Sequence, residues 1–249
     1  MRFYALLFAV CALAQAAAPV YGYKVVKTYP HDRAAFTQGL QYTDGIFYEG
    51  TGLNGRSSIR KVELATGKVL QLRNVDRQYF GEGIVTVGNE LFELTWQHGV
   101  MFVYDKNTFN VLRTYTYQGE GWGLTTDGAS LVMSDGTSAI RFIDPKTGKE
   151  TRRIKVTDGA AEVTELNELE YIKGEIWANI WQTDRIARID PKTGVVTSWV
   201  DLSGLLPARD RAGADVLNGI AWDAKGRRLF VTGKLWPAVF EVRIAAQKR

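Results

Sequence analysis

Two stretches decide the fold: residues 122–148, WGLTTDGASLVMSDGTSAIRFIDPKTG, and residues 167–194, NELEYIKGEIWANIWQTDRIARIDPKTG. Each breaks short alternating runs with a turn pair, Asp127-Gly128 in one and Lys173-Gly174 in the other. Each ends on the same five residues, Asp144-Pro145-Lys146-Thr147-Gly148 and Asp190-Pro191-Lys192-Thr193-Gly194. Period-two alternation with β-branched and aromatic residues between Gly, Pro and Asp turns predicts strands, not helices.

Working outward, the same block recurs along the chain. Gln38-Gly39-Leu40, Glu82-Gly83-Ile84, Trp122-Gly123-Leu124, Asn167-Glu168-Leu169 and Asn218-Gly219-Ile220 open five blocks, spaced by 44, 40, 45 and 51 residues. A turn follows each, then an alternating second run such as Leu91-Phe92-Glu93-Leu94, then a third run. The first four blocks add a fourth run. Four short strands in roughly 40–45 residues is the unit of a β-propeller blade. The expected fold is therefore all-β, a five-bladed β-propeller spanning residues 19–249, with an open sandwich as the alternative. The fifth block supplies only three strands, at 219–223, 228–232 and 238–243. The segment Tyr23–Tyr29 is expected to close the last blade as its outer strand. The long interval before the fifth block, Leu205–Ala214, reads as a loop able to cover one mouth of the channel.

Residues 1–18, MRFYALLFAVCALAQAAA, read as a signal peptide: Arg2, an apolar run, then small residues. The run is shorter than the ~20 apolar residues that span a bilayer. An exported protein with no membrane anchor after cleavage is expected, periplasmic or secreted. The bulky Val10 argues against lipidation of Cys11. The chain has 249 residues, 45% hydrophobic and 23% charged, with a formal net charge of +4. That balance fits a folded domain and does not point to nucleic acid. One cysteine excludes a disulfide framework or a cysteine-based zinc site, and two histidines exclude a histidine-rich metal site. No oligomer signal is visible, and a monomer is the default.

In a propeller the first strand of each blade lines the channel, and the end of the second strand returns to the same mouth. The first position reads Gln38, Glu82, Trp122, Asn167 and Asn218. The second reads Trp96, about Ser134 or Asp135, Trp181 and Lys234, with Trp236 just beyond. One mouth should gather one carboxylate, one ammonium, three carboxamides and three or four indoles, a set that core packing would not select. Glu82 in an apolar pocket would have a raised pKa, opposed by Lys234. No Ser/His or Cys/His pair offers a covalent nucleophile. His98, near Trp96, reads as structural, and His31 has no evident partner.

Several motifs carry a family resemblance: Phe36-Thr37-Gln38-Gly39-Leu40, Phe80-Gly81-Glu82-Gly83, Leu94-Thr95-Trp96, Gly121-Trp122-Gly123-Leu124, Leu166-Asn167-Glu168-Leu169, Asn179-Ile180-Trp181-Gln182, Leu217-Asn218-Gly219-Ile220 and Thr232-Gly233-Lys234-Leu235-Trp236. Together they resemble the plant and bacterial type of glutaminyl-peptide cyclotransferase, over nearly all of the chain after residue 18. The resemblance implies a metal-independent, cofactor-free propeller enzyme. It would cyclise the N-terminal glutamine of peptides and proteins to pyroglutamate, releasing ammonia. It also implies a site of Gln38, Glu82, Trp96, Trp122, Asn167, Trp181 and Lys234, with Phe36 in the same pocket. The expected roles are Glu82 as proton shuttle, Lys234 with Asn167 or Gln38 at the oxyanion, and Phe36, Trp96, Trp122 and Trp181 as substrate-binding walls. Two rivals remain at this point: a metal-dependent propeller hydrolase, disfavoured by the single clear carboxylate expected in the channel, and a non-catalytic exported propeller that binds peptides or amines.

Overall fold

The computed structural model describes residues 17–247. The signal-peptide reading of residues 1–18, Cys11 included, lies outside them except at Ala17 and Ala18. The chain runs through β1 (Val20–Pro30), then β2 (Thr37–Thr43), β3 (Ile46–Thr51), β4 (Ser58–Glu63) and β5 (Val69–Asn74). The next four strands are β6 (Gly81–Val87), β7 (Glu90–Thr95), β8 (Val100–Asp105) and β9 (Val111–Thr116). They are followed by β10 (Leu124–Thr126), β11 (Leu131–Ser134), β12 (Ala139–Ile143) and β13 (Glu150–Lys155). A small hairpin, β14 (Thr157–Asp158) and β15 (Ala161–Glu162), precedes β16 (Leu166–Ile172), β17 (Glu175–Ile180), β18 (Arg185–Ile189) and β19 (Val196–Asp201). The last strands are β20 (Leu217–Asp223), β21 (Arg228–Gly233) and β22 (Ala238–Gln247). Among the described residues the helical content is one 3-10 turn, Ala208–Asp210.

Three sheets are four-stranded and strictly sequential: β2-β3-β4-β5, β6-β7-β8-β9 and β10-β11-β12-β13. Apart from the separate two-stranded β14-β15 hairpin, the other strands form one eight-stranded sheet in the order β16-β17-β18-β19-β1-β22-β21-β20. Its two halves meet at a short seam, because β1 pairs with β19 only at Val20↔Trp199 and Tyr21↔Val200. Against β22, in contrast, β1 runs antiparallel from Tyr21↔Gln247 to Pro30↔Ala238. The segment expected to complete the last unit thus does pair with the last strand.

Local sequence explains the hairpins. Thr43 pairs with Ile46 across Asp44-Gly45, whose φ angles are 55° and 82°. Ile172 pairs with Glu175 across Lys173-Gly174, at 50° and 90°. Two-residue loops with both φ positive match the twist of the flanking strands, and the second position needs glycine least strained there.

The first strands pack side by side in a cycle: β2 lies against β6 and β20, β6 against β10, β10 against β16, and β16 against β20. This explains the glycine in the opening triplets. A Cβ at Gly39 would lie 2.4 Å from the Ile84 nitrogen, and one at Gly83 2.4 Å from the Leu124 nitrogen. One at Gly123 would lie 2.0 Å from the Asn167 carbonyl oxygen. The fourth triplet has Glu168 instead. Its carboxylate accepts hydrogen bonds from the Leu40 N–H (3.1 Å) and the Ile220 N–H (2.8 Å), tying together three first strands. Apolar clusters fill the space between sheets. One gathers Ile172, Trp177, Ile186, Val200, Leu229 and Phe240. Leu205 and Leu206 belong to it as well, so the long interval before β20 is anchored in the core and is not simply a lid.

Candidate active site

Four of the five first strands are irregular where the sequence placed a site residue, while β10 pairs regularly and Trp122 stands just before it. The β2–β3 register shifts between Thr37 and Gly39, leaving Gln38 out of the ladder. The β6–β7 register shifts between Gly81 and Ile84, at Glu82. The same happens at Asn167, between Leu166 and Leu169, and at Asn218, between Leu217 and Ile220. A bulge re-aims the side chain that it frees, and here it does so at one end of four strands. The second strands return to that end: Trp96 follows β7, Trp181 follows β17 and Lys234 follows β21.

The result is a cavity of about 430 Å³ lined by Phe36, Gln38, Phe80, Glu82, Trp96, Trp122, Asn167, Trp181, Gln182, Asp215, Val216 and Lys234. The eight site residues that the family resemblance implies, Phe36, Gln38, Glu82, Trp96, Trp122, Asn167, Trp181 and Lys234, are all in it. Three expectations need correction. Trp236 points elsewhere: its indole N–H donates to the Asp215 carbonyl (2.8 Å), and its ring packs on Gly233 and Phe240. Asn218 lies behind the wall. Ser134 is buried in backbone contacts, donating to the Asn167 carbonyl (2.7 Å) and accepting from Gly123 N–H (2.8 Å). The third unit therefore sends only Trp122 into the cavity. The inner strands also carry more than one carboxylate, since Glu168 and Glu170 are buried along β16.

A relay of amides orients Gln38. Asn218 Nδ2 donates to the Thr37 carbonyl (3.0 Å), which fixes which end of that amide is the donor. The same nitrogen donates to Gln38 Oε1 (3.2 Å). Gln38 then presents Nε2 to Glu82 Oε1 (2.9 Å). Across the cavity, Lys234 Nζ stands 4.9 Å from the centroid of the Phe36 ring, a cation–π contact. Asn167 Oδ1 is buried and has no hydrogen-bond partner within the protein. A cavity-lining acceptor of this kind is costly to bury unless a ligand donor meets it.

Burial pushes the Glu82 carboxyl well above the usual carboxylate range; Lys234 opposes this through space, while Glu120 and Glu93 add to it. Burial lowers Lys234, against the pull of Glu82 and Asp215. The two groups thus shift towards each other, the pattern expected of an acid–base pair in a dry site.

The aromatic wall is continuous. Phe36 meets Phe80 edge to face (6.2 Å between centroids), Phe80 meets Trp96 (5.5 Å), and Trp122 meets Trp181 (5.6 Å). Glu120 joins the two halves: its Oε2 accepts from both Trp96 Nε1 (2.7 Å) and Trp122 Nε1 (2.9 Å). Burial would raise Glu120, but the hydrogen bonds from Trp122, Trp96 and Gln97 outweigh it and hold this carboxyl below its ordinary value. Sequence reading missed Glu120, Phe80, Gln182 and Asp215 as parts of the site. Phe80 stood inside a quoted motif, and Glu120 two residues before Trp122, but neither falls on the repeat positions. Among the described residues no three His, Cys, Asp or Glu side chains stand together as metal ligands.

Comparison with known proteins gives a consistent answer. A family model described as glutamine cyclotransferase matches residues 3–244. The chain is 48% identical over 227 residues to a glutaminyl-peptide cyclotransferase of Arabidopsis thaliana, covering 89% of this chain and 71% of that one. A crystal structure of Myxococcus xanthus glutaminyl cyclase superposes with a TM-score of 0.86 at 33% identity, over 93% of this chain and 100% of that chain. The WD40 β-propeller domain of Doa1 matches at a TM-score of 0.51 and 11% identity, over 82% and 62% of the two chains, a likeness of fold alone. By sequence over most of its length and by structure, the chain belongs to the glutamine cyclotransferase family.

Proposed function

We propose that this chain is a glutaminyl-peptide cyclotransferase that converts the N-terminal glutamine of peptides and proteins to pyroglutamate and ammonia, using the cavity between Glu82 and Lys234. The single observation that carries the assignment of the site is the convergence of Gln38, Glu82, Asn167 and Lys234 with three indoles on one cavity in a chain of this family. The sequential four-stranded units and their cyclic first strands support a five-bladed β-propeller whose last blade is completed by β1.

The proposed chemistry follows from the geometry. The N-terminal residue enters the cavity and the rest of the peptide stays outside. Glu82 binds the α-ammonium and takes one proton from it. The freed amine attacks the γ-carbonyl carbon of the same residue, forming the ring C–N bond. Negative charge gathers on the former carbonyl oxygen, where Lys234 and an amide from Asn167 or Gln38 stabilise it. When the C–NH₂ bond breaks, Glu82 gives its proton to the leaving nitrogen, which departs as ammonia, and the Glu82 carboxylate then accepts the extra proton of the ring nitrogen, leaving the neutral lactam N–H. The indole walls hold the glutamine side chain folded, so that amine and carbonyl stay in reach. No step draws on a metal or cofactor, and the reaction should be insensitive to EDTA. The export reading also stands as a proposal: residues 1–18 are removed on secretion, and N-terminal sequencing of protein recovered outside the cytoplasm checks it.

The test is incubation of the protein with a Gln-initiated peptide, followed by mass spectrometry for loss of one ammonia. Glu82→Gln keeps the size and the Gln38 contact but cannot shuttle a proton. It should lose about 10²–10⁴-fold in kcat, the usual contribution of a positioned acid–base group, with its fold intact by circular dichroism. A variant as active as the wild type would remove Glu82 from the mechanism. Tight binding of the peptide without ammonia release would favour the binding-module reading.

A further inference from the structure

His31, for which the sequence offered no partner, is buried beside the turn that carries Lys234. Its Nδ1 lies 2.7 Å from the Trp236 carbonyl oxygen, and its Nε2 2.9 Å from Glu49 Oε1. A carbonyl can only accept, so Nδ1 carries a proton. Glu49 Oε1 already accepts the Thr37 hydroxyl (2.8 Å), so Nε2 meets an acceptor as well. With an acceptor at each nitrogen, the ring is held as an imidazolium.

The links lead to the site from both sides. Trp236 is two residues from Lys234, and Thr37 is next to Gln38. The same turn is bound by His31 N–H to the Pro237 carbonyl (2.9 Å) and Leu235 N–H to the Ala35 carbonyl (2.7 Å). It needs such restraint, because Leu235 has a left-handed φ of 60°, which a residue with a branched side chain adopts only where its surroundings impose it. We infer that His31 is a positioning residue, an imidazolium that clamps the Lys234 turn to the strand bearing Gln38 through Glu49. This rests on the cyclase reading for its effect on rate, but the clamp itself does not.

The charged groups around the ring are accounted for. Glu49 faces it from β3. Asp32, on its own loop, is paired with Arg60 of β4 (2.8 Å). Burial opposes the charge on His31, but Glu49, the Trp236 carbonyl and Asp32 outweigh it and hold the imidazolium above its ordinary pKa. Burial would likewise raise Glu49; His31 and Arg60, with the Thr37 hydroxyl, hold it down.

The chain has two histidines, so the test is direct. In ¹⁵N-histidine-labelled protein carrying His98→Gln, the one remaining imidazole should show both nitrogens protonated at pH 8. His31→Gln can satisfy Glu49 or the Trp236 carbonyl but not both. Its kcat for a Gln-initiated peptide should fall roughly 10–100-fold with KM changed less than about threefold, since sub-ångström misplacement near the reacting atoms costs on this scale. Glu49→Gln, which keeps an acceptor but removes the charge, should show the same split and lower the pH at which His31 loses its proton. A neutral His31 at pH 8 would overturn the inference, and so would wild-type kcat in both variants. Equal losses in kcat and KM would also overturn it, assigning His31 to the fold alone. If wild-type protein releases no ammonia, the cyclase reading fails, while the protonation measurement still decides whether the clamp exists.

Discussion

Glu82 sits under two charges of opposite sign, Lys234 and Glu120, which makes its titration a test of the site. Lys234 lowers its pKa, and Glu120 raises it. If ionised Glu82 is the base, the acid limb of the kcat/KM profile reports its pKa in the free enzyme. Lys234→Met should therefore move that limb to higher pH, and Glu120→Gln should move it to lower pH. Both variants should also be slower. Loss of the oxyanion partner in Lys234→Met should cost about 10²–10³-fold in kcat. Glu120→Gln replaces two charge-assisted bonds to Trp96 and Trp122 with weaker ones, about 1 kcal/mol each, so KM should rise by up to roughly 30-fold. A limb that stays in place in both variants would mean that another group titrates. At this scale the sequence was legible where the repeat put matching side chains on matching positions. It was silent where a contact joins distant segments. Asn218 meets Gln38 across 180 positions and His31 meets Trp236 across 205, so neither partner could be read from spacing.

The elements that carry the site are bulged first strands, and the bulges depend on what stands beside the glycines. Gly123 is the strictest case, because a Cβ there would lie 2.0 Å from the Asn167 carbonyl oxygen and 2.9 Å from the Glu168 Cα. Backbone cannot swing aside as a side chain can. Gly123→Ala should destabilise the fold by up to about 3 kcal/mol through overpacking and should displace Asn167, lowering activity as well. Gly128, in the β10–β11 turn, is the control: a Cβ there meets nothing within 4 Å, though φ is 93°. Gly128→Ala should cost about 1–2 kcal/mol for the left-handed backbone and leave kcat unchanged. Urea denaturation and the ammonia assay on both variants separate the two effects, and equal activity in both would refute the close-approach argument. Here the triplets announced the elements correctly, with their period and order. Their physical reason was not visible in the chain, because it depends on the neighbouring strand some 40 residues away, and Glu168 in place of a glycine looked like a lapse in the pattern. Its carboxylate instead satisfies backbone donors that no adjoining ladder reaches, as Asn179 does for the Gly219 N–H (2.9 Å).

Across the whole molecule, an interior built this way should make stability fall on both sides of a mildly acidic optimum. Burial raises Glu82, Glu93, Glu168 and Glu170, with Glu93 and Glu170 each pushed up to about 8. A carboxyl whose folded pKa lies above its unfolded one holds its proton longer in the native state. Between the two values the folded protein binds more protons, so stability declines as pH rises. His31 adds to this limb, because its stabilising charge is lost as pH climbs through its elevated folded pKa. On the other side, Glu49, Asp32, Glu120 and Asp223 are held below their ordinary values, by ion pairs and hydrogen bonds that outweigh burial. Their contribution is present above the unfolded pKa and disappears as pH falls through the folded one. The melting temperature should therefore peak near roughly pH 5 and decline towards pH 8, despite a sequence isoelectric point of about 9.1. Glu170→Gln should flatten the alkaline limb, because the neutral amide removes one proton from the balance while keeping an acceptor for Trp222 N–H. A melting temperature that rises steadily from pH 5 to pH 8, in wild type and variant alike, would mean that these buried carboxyls are ionised in the folded protein and that the polar interior is held together by charge rather than by shared protons.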